Sequence, residues 1–146
     1  MSTPLIVNKR ARYDYEILQT YTAGLVLTGG EVKSLRAKQA SLNGAFVQIL
    51  ASGQPVLLNA QITPYKYADN RDYDSQRTRP LLMKKAEVYR LQAALDQKGY
   101  TLIPLAFILT GAFIKLELGL ARGKKQFEKR AQIKKRDLAR EERFNL

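Results

Sequence analysis

Residues 112–136 read AFIKLELGLARGKKQFEKRAQIKKR and hold the last apolar strand of the chain and the start of its basic end. Ile114, Leu116, Leu118 and Leu120 alternate with Lys115, Glu117 and Gly119, a period of two that predicts a strand with one face in a core and the other in water. The alternation stops at Gly123. From residue 122 to 146 there are ten Lys or Arg against four Asp or Glu, with three branched aliphatics (Ile133, Leu138, Leu146) and two Phe. So few apolar groups do not offset the entropy of ordering the segment alone, and it is expected to order on a partner. The chain therefore divides into a folded body, 1–123, and a basic tail, 124–146. A body that delivers a cationic tail to a polyanion is the simplest use of this arrangement.

The strand needs neighbours, and the sequence before it supplies them. Residues 101–109 are apolar and reach it through the turn signal Thr110-Gly111. Before them, 81–97 reads as a helix with Val88, Leu91 and Leu95 on one face, Lys84, Lys85 and Arg90 elsewhere on its surface, and Gly99 as its stop. Residues 66–80 form a long polar loop, a length that is usually functional or disordered in a compact domain. The clearest hairpin joins 45–50 to 55–59 through Ala51-Ser52-Gly53-Gln54, and Ile62-Thr63-Pro64-Tyr65 closes it. Nearer the start, 13–18 and 23–27 read as strands, Gly29-Gly30 stops the second, and 31–38 forms a short helix with Val32 and Leu35 inward. Residues 2–6 are expected to be loose. The fold class is mainly β with short helices: six short strands forming a small closed barrel of OB type, with a basic C-terminal tail that is disordered or helical.

Composition limits the function. The 146 residues, 45% hydrophobic, suit one domain with a real core. Twenty-five Lys and Arg against thirteen Asp and Glu give a net charge of +12, half of it in the last sixth of the chain, so the excess is clustered as for a charged ligand. There is no Cys and no His, which removes disulfides, thiolate metal sites and the commonest general base. No apolar run approaches about 18 residues, and the N-terminal charges follow the apolar piece, the reverse of a signal peptide. A cytoplasmic monomer with no cofactor, no metal and no membrane partner is expected.

Several residues could carry RNA contacts. The cluster that opens at Asn8 is one candidate: Lys9, Arg10 and Arg12 beside Tyr13 combine phosphate-neutralising charge with a ring able to stack, against the alternative of a solvated strand end. Lys33 and Arg36 point outward from the short helix, while Glu31 in its first turn reads as structural, complementing the helix dipole. Arg77 and Arg79, next to Leu82 and Lys84, could clamp an RNA backbone with the leucine as platform or as core. Arg122, Lys124 and Lys125 follow the last strand. Asp69, Asp72 and Asp74 match the start of a calcium loop only loosely and read as a solvated acidic loop. Residues 119–125 have three residues between glycines where a phosphate loop needs four, and a Ser34 nucleophile beside Lys33 has no oxyanion site. No catalytic residue is assigned. In the tail, Lys125 with Lys129, Arg130 with Lys134, and Arg136 with Arg140 are like charges at i, i+4, which oppose an isolated helix and favour one on phosphate. A solvated helix docked on the body is the alternative.

These stretches, taken together, resemble the SsrA-binding protein family, also called small protein B. The match lies in NKRARYDY (8–15), AGLVL (23–27), GEVKSLR (30–36), ITPY (62–65), RTRPLL (77–82) and GKKQFEKR (123–130), in that order. The resemblance implies an OB-type barrel that grips the tRNA-like domain of transfer-messenger RNA. It implies as well a tail that becomes helical in the empty messenger channel of a stalled ribosome, near small-subunit RNA of the decoding site, where Phe127, Lys129, Arg130, Lys134, Lys135 and Arg136 would act. The family is not catalytic: its complex presents a codon-independent tRNA so that the ribosome changes template and tags the unfinished peptide. Thr22, Pro80, Lys84, Phe127 and Glu128 depart from the family's usual residues. A general single-stranded RNA-binding module of the same barrel type is the alternative, distinguished by binding many RNAs alike. A nuclease using the acidic loop is another, distinguished by magnesium-dependent cleavage.

Overall fold

The computed structural model describes residues 2–97 and 99–123. Among these the elements run β1 (Ser2–Val7), α1 (Ala11–Asp14), β2 (Tyr15–Leu25), α2 (Gly29–Arg36), β3 (Ala40–Ser41), β4 (Phe46–Ile49), β5 (Pro55–Leu58), β6 (Gln61–Ile62), β7 (Arg79–Leu82), α3 (Lys85–Leu95), β8 (Tyr100–Thr110) and β9 (Phe113–Gly123). Lys124, Lys125, Phe127, Lys129, Arg130, Lys134, Lys135 and Arg136, and with them the expected tail, lie outside the described residues.

The final hairpin is the frame. β8 pairs with β9 from Tyr100↔Arg122 to Thr110↔Phe113 around Gly111, whose φ of +60° suits a residue without Cβ. Ile114, Leu116, Leu118 and Leu120 are buried on one face, as their alternation requires. The opposite face is not wholly in water. At Gly119 a Cβ would stand 3.0 Å from Ile17 Cγ2 and 3.3 Å from Leu105 Cδ1, because Ala11, Ile103, Leu105 and Ala121 form a second small cluster there, with Tyr15 and Ile17 packed on it. The main core gathers Leu35, Leu42, Leu57, Ile62, Leu81, Leu91, Leu102, Phe107, Leu116 and Leu118, each almost fully enclosed. Each such leucine contributes roughly 1.5–3 kcal/mol by leaving water.

Seven strands form one antiparallel sheet in the order β1-β8-β9-β2-β7-β5-β4, and β3 pairs separately with β6. The sheet is therefore mainly β with short helices, as expected, but its ladder is open, with β1 and β4 as its edges. The closed barrel is corrected on this point, and the reason lies in a segment expected to be loose. Ser2–Val7 is a strand, pairing from Ser2↔Thr110 to Val7↔Ala106 and thereby occupying the β8 edge along that half. Asn8 continues the contact, its backbone N–H donating to Leu105 O and its side-chain Nδ2 to Pro104 O, each at 2.8 Å. An edge strand accommodates Pro4, which has no N–H to give. β4 approaches the remaining part of β8 without a ladder, and a cleft of about 430 Å³ lies between residues 43–46 and 101–103.

Other boundaries also move. Residues 13–18 and 23–27 are not two strands: β2 runs continuously from Tyr15 to Leu25 beside β9, with an irregularity between Ile17 and Gln19, and Tyr13 sits in α1. Gly29-Gly30 does not merely end a strand, since the glycines open α2 behind a Thr28 cap. The helix expected over 81–97 begins at Lys85, because 79–82 forms β7 between β5 and β2. Its burial alternates, with Arg79 and Leu81 inside. Residues 61–62 pair with 40–41 rather than extending the 45–59 hairpin, whose own register, Phe46↔Leu58 to Ile49↔Pro55, agrees with expectation.

Candidate nucleic-acid interface

The long loop after β6 is held by one buried carboxylate. Glu31, in the first turn of α2, is 1% exposed and closes a capping box: Thr28 N–H donates to its Oε1 at 2.9 Å, and Glu31 N–H donates to Thr28 Oγ1 at 3.2 Å. Arg77 donates to both carboxylate oxygens, Nη2 to Oε1 and Nε to Oε2 at 3.2 Å. Arg79 donates to Oε2 through Nε at 2.8 Å, with Nη2 2.7 Å from the same oxygen. The Tyr73 hydroxyl lies 3.1 Å from Oε2 and 3.0 Å from Ile62 O as donor, and accepts from Arg79 Nη2 at 3.3 Å. Arg79 spends its other donors on Ala60 O, Arg77 O and Ser75 O. Ser34, also buried, donates to Thr63 O at 2.6 Å and pins the start of the loop to α2. Its hydroxyl is a structural donor.

Two arginines expected on RNA therefore serve the interior. Arg79 is fully enclosed and its guanidinium is satisfied by protein, so it cannot clamp a phosphate, and this corrects the sequence reading. Arg77 is 28% exposed and donates also to Val26 O at 3.0 Å. Glu31, read as structural, is structural. The sequence reading missed Tyr73, for which neither periodicity nor a charge pattern gives a signal. Asp69 is engaged by the exposed Arg71 and Asp74 accepts from the Gln76 N–H, so those carboxylates shape the loop surface.

Electrostatics follow from this enclosure. Burial alone would raise the Glu31 pKa, but the hydrogen bonds from Arg77, Thr28 and Arg79 and the charge of Arg79 outweigh it and lower the value to about 2. Tyr73 is pushed above its ordinary value, by burial first and then by the Glu31 charge. A carboxylate whose folded pKa lies below its unfolded value stabilises the fold above the unfolded pKa and loses that contribution as pH falls through the folded one. The stability difference between the parent and Glu31→Gln is therefore expected to be full above about pH 5 and to shrink by about 3 kcal/mol towards pH 2. Urea unfolding of both proteins across that range measures it, and a difference independent of pH would contradict the assignment.

The remaining candidates lie on the surface. Lys9, Arg10 and Arg12 are exposed around α1, where Arg10 lies over the Tyr13 ring at 5.5 Å and 3.5 Å from Asp14. Arg122 belongs to the same end of the sheet, since Glu16 faces it across β2 and β9 and pairs with it at 2.6 Å. Such an exposed pair contributes about 0–1 kcal/mol and can exchange for phosphate. Lys33 and Arg36 are exposed on the last turn of α2. Leu82 is 60% exposed at the end of β7, which rules out plain core, and the exposed Lys84 follows it. The structure thus brings the 8–12 turn and Arg122 to one end, gathers Arg77, Arg79 and Glu31 inside, and leaves Leu82 and Lys84 between β7 and α3.

The family model described as SmpB protein matches residues 5–146. The chain belongs to the SmpB family. SmpB relatives repeat the match over nearly the whole length. The SsrA-binding protein of Gloeobacter violaceus is 49% identical over 94% of this chain and 90% of its own. That of Chlorobaculum tepidum is 48% identical over 93% and 87%, and that of Streptococcus mutans 46% identical over 92% and 86%. A solved SmpB chain, described as "tmRNA-SmpB: a journey to the center of the bacterial ribosome", superposes with a TM-score of 0.70 at 45% identity, covering 85% of this chain and 87% of the other.

Proposed function

We propose that this chain binds the SsrA RNA, that is, transfer-messenger RNA, through its tRNA-like domain, and delivers it to stalled ribosomes for trans-translation. The match to the SmpB family over 5–146, with SsrA-binding relatives at 46–49% identity, carries the reading. The chain then acts by binding and has no catalytic step, and it works in the cytoplasm, as a monomer. Its body, 1–123, holds the shaped RNA, and the tail, 124–146, meets small-subunit RNA near the decoding site and messenger channel. The curled sheet is of OB type in this reading, supported by the approach of β4 to β8 across the open seam.

The exposed contacts are Lys9, Arg10, Arg12, Lys33, Arg36, Leu82, Lys84 and Arg122, with the half-buried Asn8 beside the first of them and Arg77 at the edge of the internal network. Lys124 and Lys125 continue them, and Phe127, Lys129, Arg130, Lys134, Lys135 and Arg136 serve the ribosome. Glu31, Tyr73 and Arg79 act behind this surface by fixing α2, the 63–78 loop and β7 relative to one another.

The test compares a tRNA-like RNA with an unstructured RNA of equal length. The first should bind far better, with a log-log salt slope of roughly −3.5 to −4.5 if about five phosphates are neutralised. Arg36→Ala should flatten that slope by about one unit. Equal affinity for both RNAs would instead make the protein a general single-strand binder.

A further inference from the structure

A groove of about 820 Å³ runs between α3 and the turn joining β4 to β5. Two of its lining side chains are large and exposed: Leu82, 60%, from the end of β7, and Tyr89, 75%, from α3. Neither side chain is covered by the other described residues. Leu82 is held there by packing, because its strand partner is Gly24, where a Cβ would stand 3.1 Å from Leu82 Cβ. The bare strand lets the leucine lie over it. Tyr89 follows Val88, which is buried, and one turn of α3 separates it from Lys85, the first helical residue. Lys85 also lines the groove, at the end of the helix where the dipole favours an anion.

The chemistry of the lining selects the occupant. It contains one cation and no carboxylate, so an anionic strand is favoured and a basic peptide is not. Besides Lys85, its polar side chains are few: Ser52, Gln54 and Gln92. Gln54 Nε2 is committed to Pro55 O and Leu81 O, each at 2.8 Å, which fixes its amide at the groove wall. An aromatic side chain and an aliphatic one beside a lysine, with a fixed amide nearby, suit an unstacked nucleotide.

We infer that the groove between α3 and the β4–β5 turn receives one unpaired base of the bound RNA, stacked on Tyr89 and Leu82, with its phosphate on Lys85. This rests on RNA being the partner, and it adds Tyr89, Lys85 and Gln54 to the contact surface. The base is gripped by shape and stacking, so the site tolerates more than one base identity.

Full-length protein is cross-linked to transfer-messenger RNA transcribed with 4-thiouridine, and the linked peptides are found by mass spectrometry, alongside affinities for the same RNA. Cross-links are expected within residues 82–92. Tyr89→Ala should remove them and weaken binding by about 10- to 100-fold, the value of one stacked base. Tyr89→Phe should bind within about twofold of the parent, since stacking uses the ring and not the hydroxyl. Unchanged affinity of Tyr89→Ala, with cross-links elsewhere, overturns the groove and leaves the proposed function standing. Failure of the parent to bind this RNA overturns the proposed function and the groove with it. The exposed position of Tyr89 makes loss of fold an inadequate explanation, and equal thermal melting of parent and variant checks this.

Discussion

Arg79→Ala is expected to lose about 3–5 kcal/mol of stability, the usual cost of removing one member of a buried ion pair. Glu31 would stay enclosed with its Oε2 deprived of two donors, and Ala60 O, Ser75 O and Arg77 O would each lose one. A domain of this size holds about 5–15 kcal/mol in all, so the variant would retain little margin. Its Tm should fall by roughly 10–20 °C. Arg77→Ala should fall less, because Arg77 is partly exposed and Arg79 would still neutralise the carboxylate. Arg71→Ala, which removes only an exposed pair with Asp69, should change stability by less than about 0.5 kcal/mol. Thermal and urea unfolding rank the three variants. An Arg79→Ala loss below about 1 kcal/mol would mean that the network does not hold the loop to the sheet.

Truncation after Lys125 should separate two activities completely. The shortened chain retains the described body, with the exposed residues around α1, α2 and β7, and transfer-messenger RNA binding should drop only modestly through lost charge. Peptide tagging on stalled ribosomes should fail, because Phe127, Lys129, Arg130 and the basic residues beyond them are gone. In the full chain, Phe127→Ala should cost on the order of 1–3 kcal/mol of this activity if the ring stacks on a base, and Phe127→Tyr should cost little. A tagging assay with purified ribosomes, run beside an RNA-binding titration, reads both. Normal tagging by the truncated chain would refute the division of labour between body and tail.

Particular residues show how far the sequence could be read. The alternation from Ile114 to Leu120 located a strand whose inner face is buried, and Ala51-Ser52-Gly53-Gln54 located the turn of a real hairpin. The N-terminal strand was not legible, because Pro4 interrupts a short segment that becomes a strand only by pairing with a distant edge of β8. β7 was hidden for a similar reason: Pro80 reads as a breaker, yet its carbonyl accepts from Val26 N–H while its neighbours Arg79 and Leu81 face inward. Sheet closure depends on which edges meet, and no local pattern encodes that.

At the site, outward-facing Lys33 and Arg36 followed from helical periodicity, and Glu31 followed from its place in the first turn. Arg77 and Arg79 looked equally available because alternate charges on a polar loop normally face water. Their burial comes from a carboxylate 46 and 48 residues earlier, a long-range pairing that composition cannot reveal. The same network explains why so long a loop need not be disordered: Tyr73, Ser75 and Arg77 attach it at three points to Glu31, Ile62 and Val26.

The RNA that travels with the protein tests the central claim most directly. Full-length protein isolated from cells at moderate salt, with its bound RNA sequenced and compared with total RNA, should be enriched above all in one species, transfer-messenger RNA. Arg36→Ala should reduce that enrichment. A broad mixture of RNAs in proportion to their cellular abundance would contradict the account and leave only a non-selective cationic surface.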